Sequence, residues 1–445
     1  MYTANSTLRT LAPPAKRSWA SLGLSLYVGL LLFEGALRKW ILPGLASPLL
    51  LIRDPLALVL VVAYWPRQLR SVVFYVIGML LIGSLGIVTA LLFGHGNLAV
   101  ALFGARVWLI HFPLMFIFGQ EWNRSDILKI GRWLLILSIP MTLLIAWQFY
   151  SPQTAWVNRG VGGDMKGSGF SGALGFFRPS ATFSFTNGTT HFYGFIAGFI
   201  FYFWLSIREI NRWLLIAATL ALLVAIPLSI SRALFFQVLI TLGFTVVIVL
   251  RLPQKGKYLL VIAGVIVILG LALSYLPFFN TAMEAFNSRF VSATESEGGM
   301  KGVLGDRYLG GMFHSLLMME SIPFWGYGQG IGTSVGGVLL SGKQTMLIYS
   351  EDEWARLIGE LGPLLGLAGI FIRLLFSVKL AQMSFVKLGQ QDLLPWSLLS
   401  FFLLNIPQGQ WGQPTSLGFS VVSGGMLLAC LKKSPNRERN RTDLP

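Results

Sequence analysis

One cysteine, Cys430, stands in 445 residues. No internal disulfide can form, and no thiolate framework can hold zinc or an iron–sulfur cluster. Histidine is nearly as scarce, with four residues at 95, 111, 191 and 314 that show no metal-ligand spacing. Charge is the third shortage: Asp, Glu, Lys and Arg make up 12% of the chain, against about 25% in a soluble domain. An ordinary soluble enzyme is thereby excluded. Acidic residues are the scarcer sign, 18 against 34 Lys and Arg, for a formal net charge of +16. In a soluble chain that excess would suggest a nucleic-acid partner; here it borders apolar segments, and no nucleic acid is expected.

What the chain has is long apolar runs, with 54% hydrophobic residues and a mean hydropathy of +0.68. A bilayer core takes roughly 20 apolar residues per helix. The sequence predicts an all-α, polytopic membrane helix bundle of about twelve spans: 19–38, 52–66, 71–93, 97–119, 127–150, 189–207, 211–229, 231–250, 257–277, 354–378, 393–407 and 416–431. The first follows Lys16 and Arg17 like a signal peptide, but Glu34, Arg38, Lys39 and Trp40 close it without a small-residue cleavage site, so it reads as a retained helix. Basic residues concentrate at the amino terminus, in the even-numbered connections and in the tail at Lys432, Lys433, Arg437, Arg439 and Arg441. The positive-inside rule then puts both termini in the cytoplasm. The whole chain, 1–445, reads as one integral membrane domain with a cytoplasmic tail at 432–445.

Most non-membrane sequence falls in two outward loops, about 151–188 and 278–353. The second is too long for a connector, and function is expected there. Within it, Leu309, Met312, Leu316 and Met319 recur at helical spacing over 303–322, an amphipathic helix that Pro323 would end. The glycine run of PFWGYGQGIG lacks a preceding strand and a following GK, so it is no nucleotide loop; a flexible turn back towards the bilayer is expected. No internal repeat is visible, which disfavours a carrier built from related halves.

Outward arginines need a reason, because a positive-inside bias depletes them. Arg178 precedes the sixth span, Arg232 lies in the SISRAL turn, and Arg307 starts the amphipathic helix. A guanidinium offers paired donors to phosphate oxygens, so these three form a candidate diphosphate clamp, with headgroup snorkelling as the plain alternative. Glu351, Asp352 and Glu353 open the tenth span as candidate general bases, although acids favour helix N-termini in any case. Three consecutive carboxylates diverge on a helix and do not make a metal site. His314, two turns from Arg307, is a second candidate base. Gln408, Gln410 and Trp411 combine amides and an indole suited to a sugar, or to an interfacial aromatic belt. Within the spans, Glu34, Arg106, His111 and Glu360 are costly unless paired. Arg106 with Glu34 or Glu360 is the expected ion pair.

Three segments resemble the O-antigen ligase and polymerase superfamily of bacterial inner-membrane enzymes: SRAL at 231–234, Arg307 opening a helix into IPFWGYGQGIG, and WARLIGELGPLLGL at 354–367. The resemblance covers most of 170–376. It implies about twelve helices, a periplasmic site, arginines on a polyprenyl diphosphate, and no metal, nucleotide or other cofactor. Ligases of this family carry a His-Asn pair where this chain has Glu351 and Asp352. The departure favours a metal-independent glycosyltransferase that polymerises polyprenyl-diphosphate-linked repeat units into O-antigen or exopolysaccharide. Partners implied are the lipid-linked glycan, membrane lipid and a chain-length regulator. A ligase and a lipid-linked glycan flippase are the alternatives.

Overall fold

The computed structural model describes residues 18–65, 73–296, 315–342 and 352–432. Arg307, His314 and Glu351 lie outside the described residues, as does most of the predicted amphipathic helix. The helices are α1 (Trp19–Ala36), α2 (Ala46–Leu49), α3 (Arg53–Ala63), α4 (Val73–Leu92), α5 (Leu98–Arg106), α6 (Phe112–Glu121), α7 (Arg124–Tyr150), α8 (Thr186–Leu205), α9 (Arg212–Leu228), α10 (Arg232–Arg251), α11 (Gly256–Ser274), α12 (Pro277–Ser296), α13 (Ser334–Ser341), α14 (Glu353–Gly389), α15 (Leu394–Gln408) and α16 (Pro414–Leu431). Among the described residues, nine helical stretches are long and apolar enough to cross a membrane. The other three predicted spans are also helical, as α8, α9 and α15; the last two have 17 and 15 residues.

Two elements depart from expectation. The loop before α8 contains a small hairpin, β1 (Phe170–Ala173) and β2 (Phe176–Arg178), so the fold is nearly rather than wholly helical. The loop after α11 begins with α12, whose polar residues hide a helical repeat of Phe286 and Phe290 that packs on Phe235 of α10.

At the centre stand α8 and α16. Their lengths are buried almost throughout, as expected of helices apolar on every face and enclosed by others. Glycines let α16 close on α6: a Cβ at Gly424 would fall 2.4 Å from the Met115 sulfur, and one at Gly425 would fall 2.2 Å from Phe118 Cβ. Small residues at such seams are how apolar helices gain contact where lipid offers no hydrophobic drive.

Hydrogen bonds sort the connections into two ends. At one, Lys39 meets Ala181, Arg53 meets Pro414, His95 meets Gln329 and Trp354 meets Pro407. At the other, Ser18 meets Glu121, Arg124 meets Asp392, Lys255 meets Leu205 and Lys432 meets Trp122. The first end gathers the candidate residues; the second is rich in Lys and Arg.

Candidate functional site

Arg178 ends β2 and Arg232 begins α10. The hairpin bulges at Gly172, where a Cβ would stand 2.5 Å from Ile230 Cδ1 and 3.5 Å from Arg178 Cγ. The turn carrying Arg232 therefore rests directly on the hairpin carrying Arg178. Both arginines are half-buried. Ile230, fully buried, is held at φ 44, a conformation costly for a β-branched residue and tolerated only where packing enforces it. Ser231 caps α10 and shares a 2.9 Å hydrogen bond with Thr190 of α8.

The strand behind Arg178 is pinned from below. Lys39 Nζ donates to Ser180 Oγ at 3.0 Å and to the Ala181 carbonyl at 2.6 Å, Gln148 brackets Ala181, and Thr182 Oγ1 donates to the Leu32 carbonyl. Lys39 is wholly buried. It sits with Arg38 in a π-helical turn, Leu37–Ile41, which turns both cations inward.

Of the acidic trio, Asp352 is the N-cap residue of α14 and is half-buried, while Glu353 is 3% exposed. Glu353 accepts two hydrogen bonds from Arg356, at 2.9 and 2.8 Å, and one from Arg373 at 2.8 Å. Arg356 continues to Glu360 at 2.8 Å, and Glu360 takes the Gly332 N–H at 3.0 Å. Arg373 also donates to the carbonyls of Ile406 and Gly409. Glu353 is thus a buried counter-ion to two arginines, with both oxygens engaged, whereas Asp352 beside it is the more accessible of the two expected bases.

Trp411 is enclosed in the same way. It is 1% exposed, with the Arg373 guanidinium 3.9 Å from its ring centroid and Trp108 and Phe112 packed beside it. In this conformation it presents no face to a sugar. Gln408 and Gln410 are half-buried at the rim, and Gln410 accepts from Gln413 at 2.7 Å. Gln413 reaches Asn187 in the first turn of α8, one turn from Thr190. Polar contacts therefore run from the acid cluster across the 409–413 connection to the arginine turn.

A second buried network lies beside the first. Glu34 pairs with Arg38 and Arg53 at 3.4 and 3.0 Å. Arg106 pairs with Asp54, at 2.9 Å, rather than with Glu34 or Glu360 as the sequence suggested. Asp54 also receives His111 Nε2 at 2.8 Å, and Tyr27 OH stands 3.0 Å from Nδ1. A carboxylate only accepts, so in the neutral ring the proton sits on Nε2 and Tyr27 donates to Nδ1. Apart from Glu34 with Arg38, which are four residues apart on one helical stretch, these pairs join different helices, and spacing hid them. The visible signal was an ionisable residue in an apolar run, which applied equally to Arg53, Asp54 and Arg373.

The glycine run is not a flexible turn. Its chain is wedged against α14, where the Tyr327 and Gly328 N–H groups take the carbonyls of Gly359 and Glu360. Those carbonyls are orphaned because α14 breaks at Gly362, φ 76 and ψ 169, just before Pro363. Gln329, fully buried, donates to the Ala101 carbonyl at 3.1 Å. Broken helices at membrane depth occur where protein or a cavity surrounds them.

This end can therefore present half-buried guanidiniums and one half-buried carboxylate, Asp352, above a rigid charged layer. No group of His, Cys, Asp and Glu among the described residues has the arrangement of a metal site. The fold defines a polytopic helical protein with a charged layer at one end. Neither protein-family models nor curated proteins match this chain.

Proposed function

We propose that the protein is a membrane glycosyltransferase of the inner membrane. It polymerises polyprenyl-diphosphate-linked oligosaccharide units at the end bearing Arg178 and Arg232, with that end periplasmic, both termini cytoplasmic and twelve spans. The observation that carries the reading is a charge imbalance. In the layer beneath the arginines, Arg38, Lys39, Arg53, Arg106, Arg356 and Arg373 face the carboxylates Glu34, Asp54, Glu353 and Glu360. Lys39 has no carboxylate partner among the described residues. Unmatched buried cations cost several kcal/mol each, and an anionic ligand above them offsets that cost.

The acceptor hydroxyl attacks the anomeric carbon of the lipid-linked glycan. The carbon–oxygen bond to the diphosphate breaks, and the lipid diphosphate departs with the bonding pair. Diphosphate leaves readily, so the protein supplies orientation and charge stabilisation. Arg178, Arg232 and Arg307 hold the diphosphate, and Asp352 takes the hydroxyl proton, with Glu351, Glu353 and His314 as the remaining candidates. Single displacement inverts the anomeric centre; retention in a purified reaction overturns this mechanism.

The test is a deletion strain whose lipid-linked and surface glycans are resolved by length and leaflet. Single units collecting on the periplasmic face, with long polymer gone, is the expected result. Full-length polymer left on its lipid indicates a ligase, and units trapped on the cytoplasmic face indicate a flippase.

A further inference from the structure

The opposite end holds a separate cavity of about 150 Å³, where the start of α7, the end of α8, the α10–α11 connection and the α14–α15 turn meet. Arg124, Tyr202, Glu209 and Lys255 line it, with Leu252 and Leu393 on the apolar side. Each cation keeps donor capacity. Arg124 spends Nη1 on Asp392 and Nη2 on Tyr202 OH at 2.8 Å, and its Nε makes no hydrogen bond among the described residues. Lys255 spends one of three N–H groups, on the Leu205 carbonyl at 2.8 Å. Tyr202, 1% exposed, is fixed by Glu209 Oε2 at 2.8 Å, and Arg132 donates to the Glu209 carbonyl from behind.

We propose that this pocket binds the phosphodiester of an anionic membrane phospholipid. Charge selects the ligand. Among the side chains that line the cavity, Arg124 and Lys255 oppose Glu209, leaving one positive charge; behind them Asp392 pairs with Arg124, and Arg132 reaches the Glu209 carbonyl. A phosphodiester carries one negative charge, whereas a phosphomonoester carries about 1.5 to 2 near neutrality and meets Glu209 in the wall. Size agrees: a cavity of about 150 Å³ admits a phosphate group, with the glycerol and chains at its open mouth. These lie outside, over Leu252 and Leu393, where helices end and headgroups begin. Basic pockets between helix ends are the usual seat of anionic headgroups. This site is at the far end from the arginine turn and stands independently of the transferase reading.

The test uses the full chain, purified, delipidated in detergent and titrated with phosphatidylglycerol under native mass spectrometry, with inorganic phosphate as competitor. The variant is Lys255→Gln, whose amide can still donate to the Leu205 carbonyl; its unfolding midpoint should match that of the parent. One tightly held phosphatidylglycerol, bound about fivefold more weakly by the variant and not displaced by millimolar inorganic phosphate, is the expected result. Equal retention by parent and variant overturns the site. Displacement by inorganic phosphate overturns the lipid and identifies a free anion as the ligand.

Discussion

The Arg373 guanidinium lies over Trp411, its Cζ 3.9 Å from the ring centroid, while its Nη1 donates to Glu353 Oε1 at 2.8 Å. One arginine thus fastens the α15–α16 connection to the start of α14 through a stack, a salt bridge and two carbonyls. Trp411→Ala removes the stack and opens a cavity, at a cost of about 3–5 kcal/mol. In a membrane-extract thermostability assay the variant should melt earlier, and glycan output should follow the amount of folded protein. Wild-type stability with lost polymer would support the sugar-binding role for Trp411 instead.

Glu353 and Asp352 are neighbours in different settings, the first buried against two guanidiniums and the second half-buried at the N-cap of α14. Glu353→Gln leaves two buried guanidiniums short of charge, and breaking such a pair costs about 3–5 kcal/mol; the protein should accumulate poorly. Asp352→Asn keeps size and should fold normally while polymer output collapses. A fully active Asp352→Asn variant removes it as the base.

Lys39→Met tests the charge layer. Ser180 Oγ keeps Ser168 and the Ala181 carbonyl keeps Gln148 after the change, so no acceptor is stranded. Replacing an uncompensated buried cation by an apolar chain of similar length should leave the unfolding midpoint equal or higher. Output of polymer should fall, because a positive charge beneath the diphosphate is gone. A variant that is both stable and fully active disconnects Lys39 from the anion.

Arg232→Lys keeps the charge and loses the planar fork. Polymer should drop by an order of magnitude or more at unchanged protein level, since paired donors to a diphosphate are lost. Normal polymer length and yield would take Arg232 out of the clamp.

Gly362→Ala should prevent folding. The residue sits at φ 76, and a Cβ there would fall 2.1 Å from the Phe324 carbonyl oxygen. Strain of about 1–3 kcal/mol adds to the loss of the chain segment that caps Gly359 and Glu360. The check is protein yield and melting; a wild-type melting curve would show that the segment yields without cost.

The sequence by itself determined the long apolar helices, though not α12. Apolar runs of membrane length are local, so every predicted span reappears as a helix, with bounds shifted by capping: the Asn123 and Asp126 capping box starts α7 three residues early. It also singled out Arg178 and Arg232 by place in the chain, and flagged Glu34, Arg106, His111 and Glu360 as costly. Only the tertiary structure decided the partners. Arg106 belongs to Asp54 and Arg373 to Glu353 and Trp411, because a buried charge takes whichever opposite group packing brings within reach, and hydropathy carries no record of which helix faces which. The same holds for the glycine run. Its residues read as loose, yet they close on carbonyls exposed by a break in α14, a complementarity that exists only once the two segments meet.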